Sequence, residues 1–165
     1  EYTLAGFVYS YLPQARETEE DLYKIFMQVG AVAKALLERE IVKARAVVIN
    51  EEAARIAYEE SLDKKIIVLK EDNAWGRVLI SKPEVMFVVY QRNDGNWSVK
   101  GVPVSSKVYG VRRKDFPKAW AAKEGEELQK ITGVSDAVFA HRGLFMAVAQ
   151  SKEGAIKLAE LALNQ

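Results

Sequence analysis

From Leu22 onward apolar side chains return every three or four positions, at Leu22, Ile25, Phe26, Val29, Ala33 and Leu36. This is the period of a helix with one buried face. Thr18-Glu19-Glu20-Asp21 supplies its start, since the Thr18 hydroxyl can cap open amides and three acids suit the positive end of the helix dipole. The pattern continues through Ile41 and Val48 to about Tyr58, interrupted weakly by Gly30 and Asn50. The spacing therefore predicts one long helix, or two in line.

At Lys65 the texture changes. Ile66-Ile67-Val68-Leu69 is short, branched and bounded by charge, as a buried strand is, and residues 85–90 read as a second strand. Asn93-Asp94-Gly95-Asn96 signals a turn, and residues 97–102 alternate as a third strand, which predicts a hairpin. Residues 115–120 read as loop, and residues 124–132 as a short helix ended at Gly133. Two more strands are predicted at 137–141 and 144–150, around an Arg142-Gly143 turn. Ser151 caps a last helix with Ile156, Ala159 and Leu163 as its inner stripe. The order predicts an α+β fold: a mostly antiparallel sheet of about five strands, a long N-terminal helical segment and a C-terminal helix.

Composition narrows the function. The chain has 165 residues, 49% of them hydrophobic, which suits one domain or one domain and a piece of a second. With no cysteine, disulfides, zinc ribbons and thiol catalysis are excluded. No apolar run approaches the ~20 residues that span a bilayer, and no signal peptide is visible. The expected location is cytoplasmic, without membrane association. Residue 1 is Glu, and residues 2–12 are apolar with no partner nearby in sequence. The expected organisation is therefore a residual tail of a missing N-terminal domain (1–17), a linker or packing helix (18–60) and an α+β substrate-binding domain (61–165).

Lysine and arginine total 24 against 23 acids, a balance that argues against coating nucleic acid by charge alone. The basic residues are nevertheless clustered. Between Ser98 and Lys123 lie Lys100, Lys107, Arg112, Arg113, Lys114, Lys118 and Lys123, opposed by Asp115 alone.

Candidate chemistry is sparse. His141 is the one histidine, no carboxylate spacing resembles a metal loop, and no Gly-x-Ser-x-Gly elbow is present. No catalytic residue and no metal ligand is expected. His141 reads as either a hydrogen-bonded structural histidine or a donor to a substrate oxygen at the sheet edge. Ser151-Lys152-Glu153-Gly154 could hold an anion at a helix start, with Lys152 adding charge. Arg112-Arg113-Lys114 is a stronger anion candidate, because guanidinium forks match phosphate. Of Trp75, Trp97 and Trp120, the first two read as core, and Trp120 in its basic loop reads as a surface for stacking a base.

An ordered series of segments carries a resemblance: Asp72-Asn73-Ala74-Trp75, Asn96-Trp97-Ser98-Val99-Lys100-Gly101-Val102-Pro103, Arg113-Lys114-Asp115-Phe116-Pro117-Lys118-Ala119-Trp120, Glu127-Leu128 and Ile131-Thr132-Gly133-Val134. Val138-Phe139-Ala140-His141 with Phe145, and Ser151-Lys152-Glu153-Gly154-Ala155, complete it. Over residues 65–165 the chain resembles the C-terminal half of the MYG (melanocyte proliferating gene) family, metal-dependent phosphoesterases of the DHH superfamily. The resemblance implies exonuclease action on RNA. It also implies divalent metal, manganese or magnesium, held in an N-terminal catalytic domain with which this part would partner. The substrate would be a nucleic acid or nucleotide phosphate, contacted by Arg113, His141, Arg142 and Lys152, with Trp120 at the cleft wall. Two departures stand out. Met146-Ala147-Val148-Ala149-Gln150 replaces the glycines and histidine that the family often carries, and Tyr11-Leu12-Pro13-Gln14 matches its asparagine-proline stretch loosely. The alternative is a non-catalytic oligomerisation or regulatory domain driven by the long helix. An independent RNA-binding protein fits less well, for want of an aromatic recognition motif and a strongly basic balance.

Overall fold

The computed structural model describes residues 3–12, 15–72, 74–108 and 110–165. Pro13 and Gln14 of the loosely matching junction, and Asn73 of the first carrying segment, lie outside the described residues. The chain divides into two compact units, Glu1–Ala46 and Val47–Gln165, and helix α2 (Glu19–Glu60) contributes to both.

In the first unit, α1 (Leu4–Tyr9) is capped by Thr3, whose Oγ1 accepts from the Gly6 amide at 3.0 Å. The start of α2 closes reciprocally. Thr18 Oγ1 accepts from the Asp21 amide (3.2 Å), and Asp21 Oδ2 accepts from the Thr18 amide (3.0 Å) and hydroxyl (2.7 Å). This is a capping box with aspartate at its third position, and the bonds to Thr18 hold the Asp21 carboxyl below the usual range. The predicted continuous helix is present. Many of its apolar side chains face solvent, among them Phe26 (70% exposed), Leu37 (62%) and Val42.

The second unit holds a five-stranded sheet in the order β1-β2-β3-β5-β4. The strands are β1 (Ile66–Leu69), β2 (Phe87–Gln91), β3 (Trp97–Gly101), β4 (Ala137–Ala140) and β5 (Met146–Ala149). The α+β class and the strand count hold, but the sheet is mixed rather than mostly antiparallel. β1 runs parallel to β2, in register Ile66↔Phe87 through Leu69↔Tyr90, whereas β2–β3, β3–β5 and β4–β5 are antiparallel. A parallel neighbour needs a crossover. Here it is formed by residues 70–86, which include a single helical turn, α3 (Gly76–Leu79), that the sequence pattern did not announce.

Alternation along the strands sorts side chains onto two faces. Ile66, Phe87, Val89, Val99, Ala147 and Ala149 pack under α4 (Gly125–Thr132) and α5 (Lys152–Leu163), with Phe116 and Trp120 in the same core. Ile67, Leu69, Val88 and Tyr90 face the other way, against Ala54 near the end of α2 and Leu79 of α3. α5 buries Ala155, Leu158, Ala159 and Ala162, a stripe centred slightly off the predicted one; Ile156 and Leu163 are half-buried at its margin. Gly133 closes α4 at φ 71°, a left-handed value that glycine takes without strain.

Candidate functional site

The second face of the sheet is covered by helices over β1 and β2. Farther across, the register aligns Val88, Lys100 and Met146. Lys100 and Met146 are only half-buried there and floor a groove. Its first part, about 610 Å³, is lined by Asp72, Tyr90, Arg92, Asp94, Lys100 and Phe145 among others. A second recess of about 680 Å³ shares Lys100 and Phe145 and adds Trp75, Lys107, Val111 and Arg112.

Local structure explains how Phe145 reaches this place. After β4 the chain turns at His141–Leu144: the Leu144 amide donates to His141 O (2.8 Å), and Leu144 adopts a left-handed φ of 55°. Phe145 O accepts from the Gly101 amide and Leu144 O from the Phe116 amide, both at 2.9 Å, which pins the ring beside β3. His141 Nδ1 accepts from the Gly143 amide (2.9 Å), and its ring centroid lies 4.2 Å from that of Phe145.

The cations arrive from two elements. Lys100 comes from β3, with its ammonium 5.0 Å from the Tyr90 ring centroid. Arg112 comes from an arm that leaves β3 and returns, bridged by Pro103↔Arg112 and by the Val104 amide donating to Val111 O (3.1 Å). Gly101 lets this arm close on the sheet, because a Cβ there would lie 2.7 Å from Lys114 O. Arg112 sits 5.2 Å from the Phe145 centroid, and its Nη2 donates to Gly143 O (3.2 Å). A cation over a ring face is held by the ring quadrupole, so both bases are held in place on the groove's aromatic lining.

The residues singled out from sequence fall in different places. His141 and Arg142 lie on the turn that presents Phe145. Arg113 does not reach the groove. Its Nη1 donates to the carbonyls of Lys82 (2.5 Å), Val85 (2.8 Å) and Leu79 (3.4 Å), and its Nη2 to that of Ile80 (2.5 Å). It therefore clamps the crossover, with burial pulling its pKa down and Glu84 opposing that pull. Trp120 is 1% exposed and stacks on Phe116 at 5.7 Å, so its faces are filled by core rather than offered to a base. Lys152 is exposed at the start of α5, but the anion position there is already taken by Asp136, which accepts from Ser151. Trp75 and Trp97 are half-buried against the two cores, as read from sequence.

The sequence shows Lys100 within the basic cluster and Phe145 within a carrying segment, but singles out neither of them, nor Tyr90, as a contact residue. The available signal was a lysine at an inward-alternating position of a strand otherwise built of apolar and small residues. Among the described residues no three acidic or histidine side chains converge so as to hold a metal ion, and the donor set does not fit one. No helix among the described residues is long and apolar enough to cross a membrane.

Comparison with known proteins places these features in context. The family model MYG1_exonuc, described as Uncharacterised protein family (UPF0160), matches residues 1–163. A MYG1 protein of Chlamydia muridarum is 30% identical over 117 residues, 67% of this chain and 40% of that protein. A MYG1 protein of Dictyostelium discoideum is 33% identical over 84 residues, 51% of this chain and 25% of its own length. The human MYG1 exonuclease is 27% identical over 81 residues, 49% of this chain and 21% of that protein. The matched segments thus span well under half of these relatives.

Proposed function

Because the chain belongs to the MYG1_exonuc family, we propose that its sheet domain holds the substrate of a phosphodiester-cleaving exonuclease of DHH type. The observation that carries this reading is the pair Lys100 and Arg112 flanking Phe145 in two confluent recesses. Lysine offers a point charge to phosphate, arginine a fork, and the ring a stacking surface for a base. His141 orients Phe145, and Arg142 extends the positive edge toward solvent.

In this reading cleavage is carried out by a catalytic domain that partners the sheet domain. Divalent metal, manganese or magnesium, would be held by a catalytic domain that partners this one, and no step through metal is assigned to residues here. The ligand is RNA or a nucleotide phosphate, and the working compartment is the cytoplasm.

Titrating a labelled single-stranded oligoribonucleotide into the chain tests the reading. Lys100→Ala and Arg112→Ala should each weaken binding about tenfold, the effect of losing one charge-assisted contact of roughly 1.4 kcal/mol. Unchanged affinity in both variants sinks it.

The apolar side chains exposed along α2 favour a second reading, a homo-oligomeric assembly domain. Light scattering of the chain with and without residues 1–46 separates the two, since a monomer in both forms removes the assembly reading.

A further inference from the structure

Neither Lys100 nor Arg112 is unengaged, and Arg92 at the groove's far edge is likewise paired, with Asp94 at 3.0 Å. Lys100 Nζ lies 3.7 Å from Asp72 Oδ2, and Arg112 Nε donates to Asp115 Oδ1 at 2.9 Å. In each pair the acid is the more exposed partner. Asp72 and Asp115 are 51% and 57% exposed at the side chain, against 29% for Lys100 and 19% for Arg112. The bases are anchored from beneath, by Tyr90 and by Phe145 with Gly143 O. The carboxylates reach in from solvent, and an ion pair this open is weak enough to exchange partners.

We propose that Asp72 and Asp115 are built-in counter-ions, each holding in the free protein the seat that a ligand phosphate takes on Lys100 or Arg112. The groove is thereby set for a ligand with at least two linked phosphate groups. This rests on the reading of the groove as the substrate-holding surface and adds how that surface rejects simple anions. A lone phosphate replaces one carboxylate by a similar charge and changes little. A phosphodiester chain displaces both, and its second contact forms at the high effective concentration set by the first.

The experiment is anisotropy titration of a fluorescein-labelled single-stranded hexaribonucleotide into the full chain across a salt series, with inorganic phosphate as competitor. Asp72→Asn and Asp115→Asn should each tighten binding about three- to fivefold. Each should steepen the dependence of log affinity on log salt by roughly 0.7, because one more cation meets the ligand unpaired. Inorganic phosphate should compete better by a similar factor. Glu126→Gln on α4, whose carboxylate pairs with Lys130 at 3.5 Å, removes the same charge away from the groove and should leave the slope unchanged.

If the asparagine variants bind no more tightly than Glu126→Gln while Lys100→Ala and Arg112→Ala weaken binding, the counter-ion role falls and the groove reading stands. If the alanine variants bind like the parent chain, the groove reading itself fails and takes this inference with it. Asp72 lies on an open loop, so its variant keeps the test decisive should Asp115→Asn melt early.

Discussion

Asp136 accepts from both the amide and the hydroxyl of Ser151, at 2.8 and 2.5 Å. Ser151 Oγ in turn accepts from the Gly154 amide at 2.9 Å. The carboxylate thus neutralises the positive end of α5 from the loop between α4 and β4, where a bound anion would otherwise sit. It also explains the glycine: a Cβ at position 154 would collide with the Asp136 carboxylate. Gly154→Ala should destabilise the domain by about 1–3 kcal/mol through overpacking, read as a lower urea midpoint. Ser151→Ala should cost about 1 kcal/mol as a lost cap.

Arg113 satisfies four carbonyls of the crossover with two nitrogens. An ammonium cannot reproduce that fork. Arg113→Lys should therefore lower stability by about 2 kcal/mol, the scale of bonds to a charged donor. At temperatures where the variant is folded, oligoribonucleotide affinity should be unchanged. A selective loss of binding with unaltered melting would return Arg113 to the ligand.

The Tyr58 hydroxyl donates to Glu84 Oε1, and this bond holds the Glu84 carboxyl below the usual glutamate range. A carboxyl whose folded pKa is depressed contributes stability above its unfolded value and loses it as pH falls through the folded one. The difference in stability between the parent chain and Tyr58→Phe should therefore be full near neutral pH and shrink below about pH 4.3, the ordinary glutamate value. Denaturant midpoints measured from pH 3 to 7 in both proteins check this.

Trp120 packs into the main core with Phe116 and Leu128. Trp120→Ala should cost about 3–5 kcal/mol, while Trp120→Phe should fold and bind oligoribonucleotide like the parent chain. Its indole emission should be that of a buried ring and should not respond to ligand.

The periodic parts of this fold were readable because their physics is local. Thr18 to Tyr58, Ile66 to Leu69, the Asn93–Asn96 turn and the Ser151 cap all appear where their spacing put them. Strand direction was not local. Nothing within Ile66–Leu69 says that its neighbour runs parallel, and α3 is a single turn too short to show a period. The site was only partly legible. Arg112 and Arg113 are adjacent in sequence, yet one meets Phe145 and the other the crossover carbonyls. Trp120 looked available because its neighbours are charged, whereas Phe116 four residues earlier turns it inward.

The Arg113 clamp also shapes how the domain comes apart. It joins positions 28 to 34 residues distant, tying the crossover to the arm that follows β3. Residues 79–85 are therefore held at four points by a single cation. To open, they must surrender four contacts to one cation together and strip β1 of its crossover. Local fraying there is thereby made cooperative, and those β1 amides that bond to β2 should exchange with solvent more slowly in the parent chain than in Arg113→Lys.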